Sequence, residues 1–227
     1  MDFYINNKSS KDYSCRLLAS WSVSGQKITR SFLKGTDNTA FSVFGTSYGL
    51  KTIELPIHIF GSNARDAERK RSFLTAAFSN SIVELFLPDG FLYRCALTKI
   101  GDKEEITIDG AIIETEYTFD GIQCDPLIII ESVNGEVLIE GTEDYMDCRL
   151  TVTVSKDADT YKMAGITWGD VKSGDVLVVD GLEKRFLKNG ANATLENDAT
   201  TWPKLTAGMN MLYCPDPMTL EYYPVYK

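Results

Sequence analysis

Turn dipeptides, more than any other feature, limit what this chain of 227 residues can become. Ser24-Gly25, Pro88-Asp89-Gly90, Asp109-Gly110, Asn134-Gly135, Asp180-Gly181 and Asn189-Gly190 punctuate it. Asp-Gly and Asn-Gly supply the positive backbone angles that a two-residue hairpin needs. Between these turns lie short runs rich in β-branched and aromatic residues. They predict strands over 14–20, 27–33, 50–60, 82–87, 91–100, 106–119, 127–131, 137–139, 149–154, 176–179, 183–187, 209–214 and 219–223. Residues 114–119 and 151–154 alternate polar and apolar side chains, which marks a strand with one buried face. Pro88-Asp89-Gly90, set between 85–87 and 91–93, reads as a hairpin. Turns this closely spaced point to β-sandwiches or barrels.

One helix interrupts the pattern, over about 64–79. Ser62 or Asn63 can cap it, and Asp66 places a negative charge in the first turn, where the helix dipole favours it. Leu74 and Phe78 stand four apart, as do Phe73 and Ala77, which predicts one apolar face. Arg65, Arg69, Lys70 and Arg71 fill the remainder and read as a solvated surface. Pro126, following Cys124 and Asp125, breaks the strand pattern and is the expected domain boundary, giving domains 1–125 and 126–227. The charge balance changes there as well. Residues 1–125 hold 14 Lys and Arg against 16 Asp and Glu, whereas 126–227 hold 9 against 16.

That acidic second half is unsuited to nucleic acid, which is gripped by Lys and Arg on its phosphates, and to anionic membranes. With 44% hydrophobic and 24% charged residues, the composition is that of an ordinary globular protein. No apolar run approaches the ~20 residues needed to cross a bilayer. Residues 1–8 lack the basic-then-apolar order of a secretory signal, so folding in the cytoplasm is expected. Cys15, Cys95, Cys124, Cys148 and Cys214 are odd in number and widely spaced, with no CxxC pair. A disulfide framework or zinc site needs closer grouping, so they read as small buried hydrophobes.

Reactive constellations are scarce. His58, the one histidine, lies between apolar neighbours in a strand and reads as structural. No Gly-x-Ser-x-Gly elbow accompanies it, and neither phosphate-cradling glycine motif occurs. Glu104, Glu105, Glu114, Glu116, Glu140, Glu143 and Asp144 could formally supply the carboxylate pair of a glycoside hydrolase. Ordinary solvated turns carry the same residues, and Glu114 with Glu116 reads as the outward side of one strand. Asp157-Ala158-Asp159 and Asn197-Asp198 are oxygen-rich but lack a complete calcium loop, so both are read as turns. The expectation is no enzyme, no catalytic or metal-binding residue and no cofactor. Trp168, Trp202, Tyr213, Tyr222 and Tyr223 could stack sugars, which makes a carbohydrate- or receptor-binding module the alternative function. Trp168 and Trp202 fit buried anchors better.

The series Gly174-Asp175, Asn189-Gly190, Trp202, Gly208-x-Asn210 and the closing Tyr222-Tyr223-Pro224-Val225-Tyr226 resembles the final domain of the distal tail proteins of long-tailed, non-contractile bacteriophages. Upstream, the stretch from Phe44 to Gly61, entering through one glycine and leaving through another, is similar to that family's long strand. A charged helix, a turn at Asp89-Gly90 and Tyr93 then follow in the family's order. The resemblance implies an N-terminal β-barrel or sandwich with one helix and a C-terminal galectin-like β-sandwich. It implies a homo-hexameric ring joining the tail tube to the tail tip or baseplate, in the virion tail, assembled in the host cytoplasm. DNA passes through such a ring without specific binding, and no membrane is involved. A ring needs two different complementary faces, and the long segments 50–60 and 106–119 suit either strands that reach into a neighbour or a hairpin within one domain. Which residues form the subunit interface is unknown from sequence. A channel for DNA is expected to be acidic, yet residues 1–63 carry 7 Lys and Arg against 4 Asp and Glu. Local placement of Asp102, Glu104 and Glu105 is therefore expected to matter more than net charge.

Overall fold

The chain, whose computed structural model describes residues 1–34 and 41–227, forms two compact units. One comprises Met1–Gln123 with Lys227, the other Cys124–Tyr226. The structure is mainly β, as expected.

The first unit is built on one sheet. Its strands run in the order Lys8–Ser9, Tyr4–Ile5, Val83–Phe86, Leu92–Glu105, Ile112–Cys124, Lys51–Phe60 and Cys15–Leu17, with Ser22–Val23 also on Lys51–Phe60. Among the described residues the sheet stays open and closes no barrel. Alternation places Ile53, Leu55, Ile57 and Ile59 on the buried face, opposite Phe119, Tyr117, Thr115 and Ile113 of the adjacent strand. Helix Ala64–Phe78 covers that face with Ala67, Leu74 and Phe78. The Phe78 ring meets Tyr117 and Phe119 edge-on, at centroid distances of 4.9 and 5.0 Å. Each such buried side chain contributes about 1.5–3 kcal/mol over its exposed state.

Asn63 is the cap. Its side chain accepts from Asp66 N–H at 3.0 Å, while Asp66 Oδ2 accepts from Ser62 N–H at 3.0 Å. The helix's expected apolar face needs correction: Phe73 points outward, 62% exposed, because Leu74 and Phe78 already meet the sheet with Ala67. Gly61 ends the preceding strand for a steric reason, since a Cβ there would lie 2.3 Å from Ala67 N.

A second correction concerns the strand expected over 106–119, which begins instead at Ile112. Gly110 takes φ +64 and donates its N–H to Thr107 C=O at 2.8 Å, so the stretch before it becomes a turn. Lys51–Phe60 and Ile112–Cys124 pair with each other along their length, which makes them a pair within one sheet. Among the described residues, Ile28–Lys34 and Phe41–Tyr48 pair only with each other, as a separate two-stranded ribbon.

In the second unit the main sheet runs Ile128–Val133, Met218–Tyr222, Met146–Thr153, Val176–Asp180, Arg185–Lys188 and Ala191–Asn192, with Lys204–Leu205 on Met146–Thr153. Two further ribbons are Gly135–Ile139 with Gly208–Leu212, and Ala158–Met163 with Ile166–Val171. Leu150, Val152, Leu177, Val179 and Leu220 of the sheet are buried, as are Val137, Ile139, Tyr161, Met163 and Trp168 of the ribbons.

Asn189 and Gly190 take φ 54 and 79, the hairpin conformation their sequence predicts. Asp180-Gly181 does otherwise. Lys184, at φ 56, supplies the left-handed residue of that connection. Gly181 is required for space, since its Cβ would lie 2.7 Å from the Cys148 carbonyl oxygen.

Candidate functional site

His58 and some of the carboxylates singled out for chemistry are engaged by neighbouring side chains. His58 lies half-buried on the outer side of its strand, with Nε2 2.9 Å from Glu114 Oε2. Its cross-strand neighbour on the other side is Arg16, so neither flank offers a nucleophile. Glu116 is exposed opposite Pro56. Lys103 links Glu105 at 3.1 Å to Glu68 at 2.7 Å. Asp102 and Glu104 are exposed on the same strand, and Glu140, Glu143 and Asp144 sit in the second unit around a tight turn.

The oxygen-rich segments serve as turn acceptors. Asp157 Oδ1 takes Ser173 N–H at 2.8 Å, and Asp198 Oδ1 takes Thr167 N–H at 2.7 Å. Asn197 Oδ1 accepts from Ala199 N–H at 3.1 Å. The Thr167 bond holds the Asp198 carboxyl below the usual carboxylate range. Among the described residues, no group of three His, Cys, Asp or Glu side chains could hold a metal ion.

Of the five aromatic residues considered for sugar stacking, Trp168 and Tyr222 are buried. Trp202 stacks on Phe186 at 4.2 Å with 14° between the ring planes. Tyr223 is half-buried, and Tyr213 stands out in solvent. All five cysteines are buried, and none forms a disulfide. Burial pushes the Cys15 and Cys148 thiols from 9.0 up to about 12, with the Asp147 charge adding to the effect at Cys148.

What the surface does offer is apolar area on β ribbons. In the ribbon Ile28–Tyr48, Phe32 lies opposite Val43 on one face and Leu33 opposite Ser42 on the other. Phe32, Val43 and Leu33 are 52%, 46% and 67% exposed, and Ile28 near the root is exposed as well. Apolar groups therefore emerge from both faces of an element that, among the described residues, belongs to no larger sheet. The sequence marks Lys27–Leu33 as strand-forming and gives one faint sign that its apolar residues stay outside. Its missing regular alternation is the one feature that could have revealed it. Ile108, at the turn between the two long strands, is fully exposed too.

No protein-family model matches the chain, and no curated protein matches it. Solved structures do. SPP1 Dit (gp 19.1), described as a paradigm of the hub adsorption apparatus in phages infecting Gram-positive bacteria, superposes with a TM-score of 0.68 at 14% identity, covering 100% of this chain and 99% of that one. A chain of the phage P2 baseplate in its activated conformation with calcium gives 0.62 at 10% identity, covering 98% and 97%. The phage p2 baseplate activated with strontium gives 0.62 at 11%, with the same coverage. Over its whole length, this chain has the mainly β fold of the phage hub protein Dit.

Proposed function

We propose that this chain is a distal tail protein of a long-tailed, non-contractile phage or prophage, and that its role is structural. Six copies form a ring that joins the tail tube to the tail tip or baseplate. The ring assembles in the host cytoplasm and resides in the virion tail. DNA passes through it without specific binding, and no step of chemistry is involved.

The observation that carries this reading is the ribbon formed by Ile28–Lys34 and Phe41–Tyr48. A lone two-stranded hairpin is marginal in water and gains stability by joining a further strand or an apolar surface. With apolar groups on both faces and no pairing to a further strand among the described residues, it suits insertion between neighbouring copies. A head-to-tail ring uses such a contact naturally, because one subunit's projection meets a different face of the next. The first unit, 1–125 by sequence, supplies the ring. Asp102 and Glu104 turn toward the channel, where negative charge keeps phosphate from adhering.

Light scattering over a concentration series, with and without the tube protein, tests the reading. The wild-type chain is expected to form hexamers, more readily with the tube protein present. The pair Leu33→Asp and Val43→Asp should leave a folded monomer at every concentration. A double variant that assembles as the wild type does would rule out the ribbon as the joint.

A further inference from the structure

We infer that the Gly135–Ile139 edge of the second unit is a docking site for an extended, basic–apolar segment of another protein, which adds as a strand. This inference stands on the second unit alone and does not depend on the hub reading.

The ribbon of Gly135–Ile139 and Gly208–Leu212 has two distinct faces. Val137, Ile139 and Leu212 are buried on the inner one. On the outer face Leu138 lies directly opposite Met209, and Glu136 opposite Met211. Leu138, Met209 and Met211 are 64%, 60% and 67% exposed, and Tyr213 continues the same alternation past the strand end. This is a contiguous apolar strip with one acidic group in it. Methionine side chains adapt to varied surfaces, which favours such a strip as a contact.

The backbone supplies the second argument. The Gly208–Leu212 side of the ribbon is partly used: Ala164 N–H donates to Tyr213 C=O at 2.9 Å, and Asn210 Nδ2 donates to Gly208 C=O at 3.0 Å. Along Gly135–Ile139, the ladder to Gly208–Leu212 is the strand's one pairing among the described residues. Its outer edge therefore presents unpaired donors and acceptors beside apolar side chains. Natural sheets blunt such edges with charge, proline or cover, and an open one is a template for strand addition.

Charge then selects the occupant. The second unit holds 8 Lys and Arg against 17 Asp and Glu, a balance of −9, whereas the first holds 15 against 15. A second copy of the same edge would bring two strongly acidic units together. An incoming antiparallel strand places residues two apart against Leu138 and Glu136. An aliphatic residue opposite Leu138 and a Lys or Arg opposite Glu136 complete both pairs.

The test uses the full chain and a fluorescent octapeptide alternating threonine with lysine and isoleucine, beside its counterpart with glutamate for lysine. The lysine peptide should bind and slow amide exchange over 135–139, and the glutamate peptide should not bind. Leu138→Lys and Met211→Lys should each weaken binding by about tenfold. Glu136→Lys should shift preference toward the glutamate peptide. All three positions are exposed, so each variant is expected to fold, with circular dichroism as the check. The inference is overturned by protection elsewhere, by no binding, by an unchanged preference in Glu136→Lys, or by protection of 135–139 that rises with protein concentration alone. That last result would make a second copy the occupant.

Discussion

The Asp180 carboxylate is sealed from solvent, and three donors converge on it. Arg149 Nη2 approaches at 3.1 Å, Arg185 Nε at 3.2 Å and Glu183 N–H at 3.0 Å. Arg149 also holds Glu221 at 3.1 Å, which ties two adjacent strands together through side chains. Removing one partner from a buried ionic cluster leaves the others desolvated without compensation, at a typical cost of 3–5 kcal/mol. Because Arg149 and Arg185 are partly open to water, the lower end applies. Asp180→Asn is expected to lower stability in urea unfolding by about 3 kcal/mol. A loss within experimental scatter would show that the cluster contributes nothing. The same position illustrates how far local sequence reaches. Asp180-Gly181 has the composition of a hairpin turn, yet it serves as an anchor and a close approach, and Lys184 takes the left-handed angle. Nothing adjacent in sequence announces the Cys148 carbonyl that excludes a side chain at Gly181.

At the scale of elements, the helix was legible because its signals are local. Asn63 followed by Asp66 satisfies free N–H groups within one turn, and Leu74 with Phe78 fixes the buried stripe. Asn63→Ala should cost about 1 kcal/mol of stability by thermal or urea unfolding, and Asn63→Gly only a few tenths. A loss within experimental scatter for Asn63→Ala would mean that the side-chain bond is not what matters. Hairpins with Asp-Gly or Asn-Gly at their tips were equally readable, at Asp89-Gly90 and Asn189-Gly190. The hairpin of Ala158–Met163 and Ile166–Val171 was not. It turns on Ala164-Gly165, at φ 48 and 85, and alanine gives no hint of a positive angle. Phe73 shows the opposite failure. Helical spacing put it on an apolar face, but the sheet beneath accommodates one narrow stripe.

Across the whole molecule, buried acids of high pKa occur in both units. Cys15 in the first and Cys148 in the second are raised from 9.0 to about 12 by burial. Burial, followed by the Asp89 carboxylate, raises Tyr93, and burial, followed by Cys214 and Asp216, raises Tyr161. These groups bind their protons more tightly folded than unfolded. Their stabilising contribution is complete below pH 9.0, where the unfolded thiols begin to ionise, and is lost as pH climbs toward about 12. The melting temperature should therefore fall steadily above pH 9. Replacing Cys15 and Cys148 together by alanine should flatten that decline. A slope identical to the wild type's would assign the effect to other groups. In the native state at pH 8 all five thiols should also resist alkylation, and all should react in denaturant.

The sequence by itself determined that this molecule is mainly β with one capped helix, and where several of its chain reversals fall. Positive φ at asparagine and glycine, strand alternation and helix capping all act between residues a few positions apart, so they leave a mark in the order of letters. Tertiary structure alone decided which apolar residues stay outside. Leu138 meets Met209 across seventy-one positions, and Ile128 meets Tyr222 across ninety-four. Whether such a pair faces a core or the solvent depends on what covers it, and only the folded chain fixes that. The ribbons carrying Phe32, Leu33, Leu138 and Met211 outward are products of that long-range arrangement.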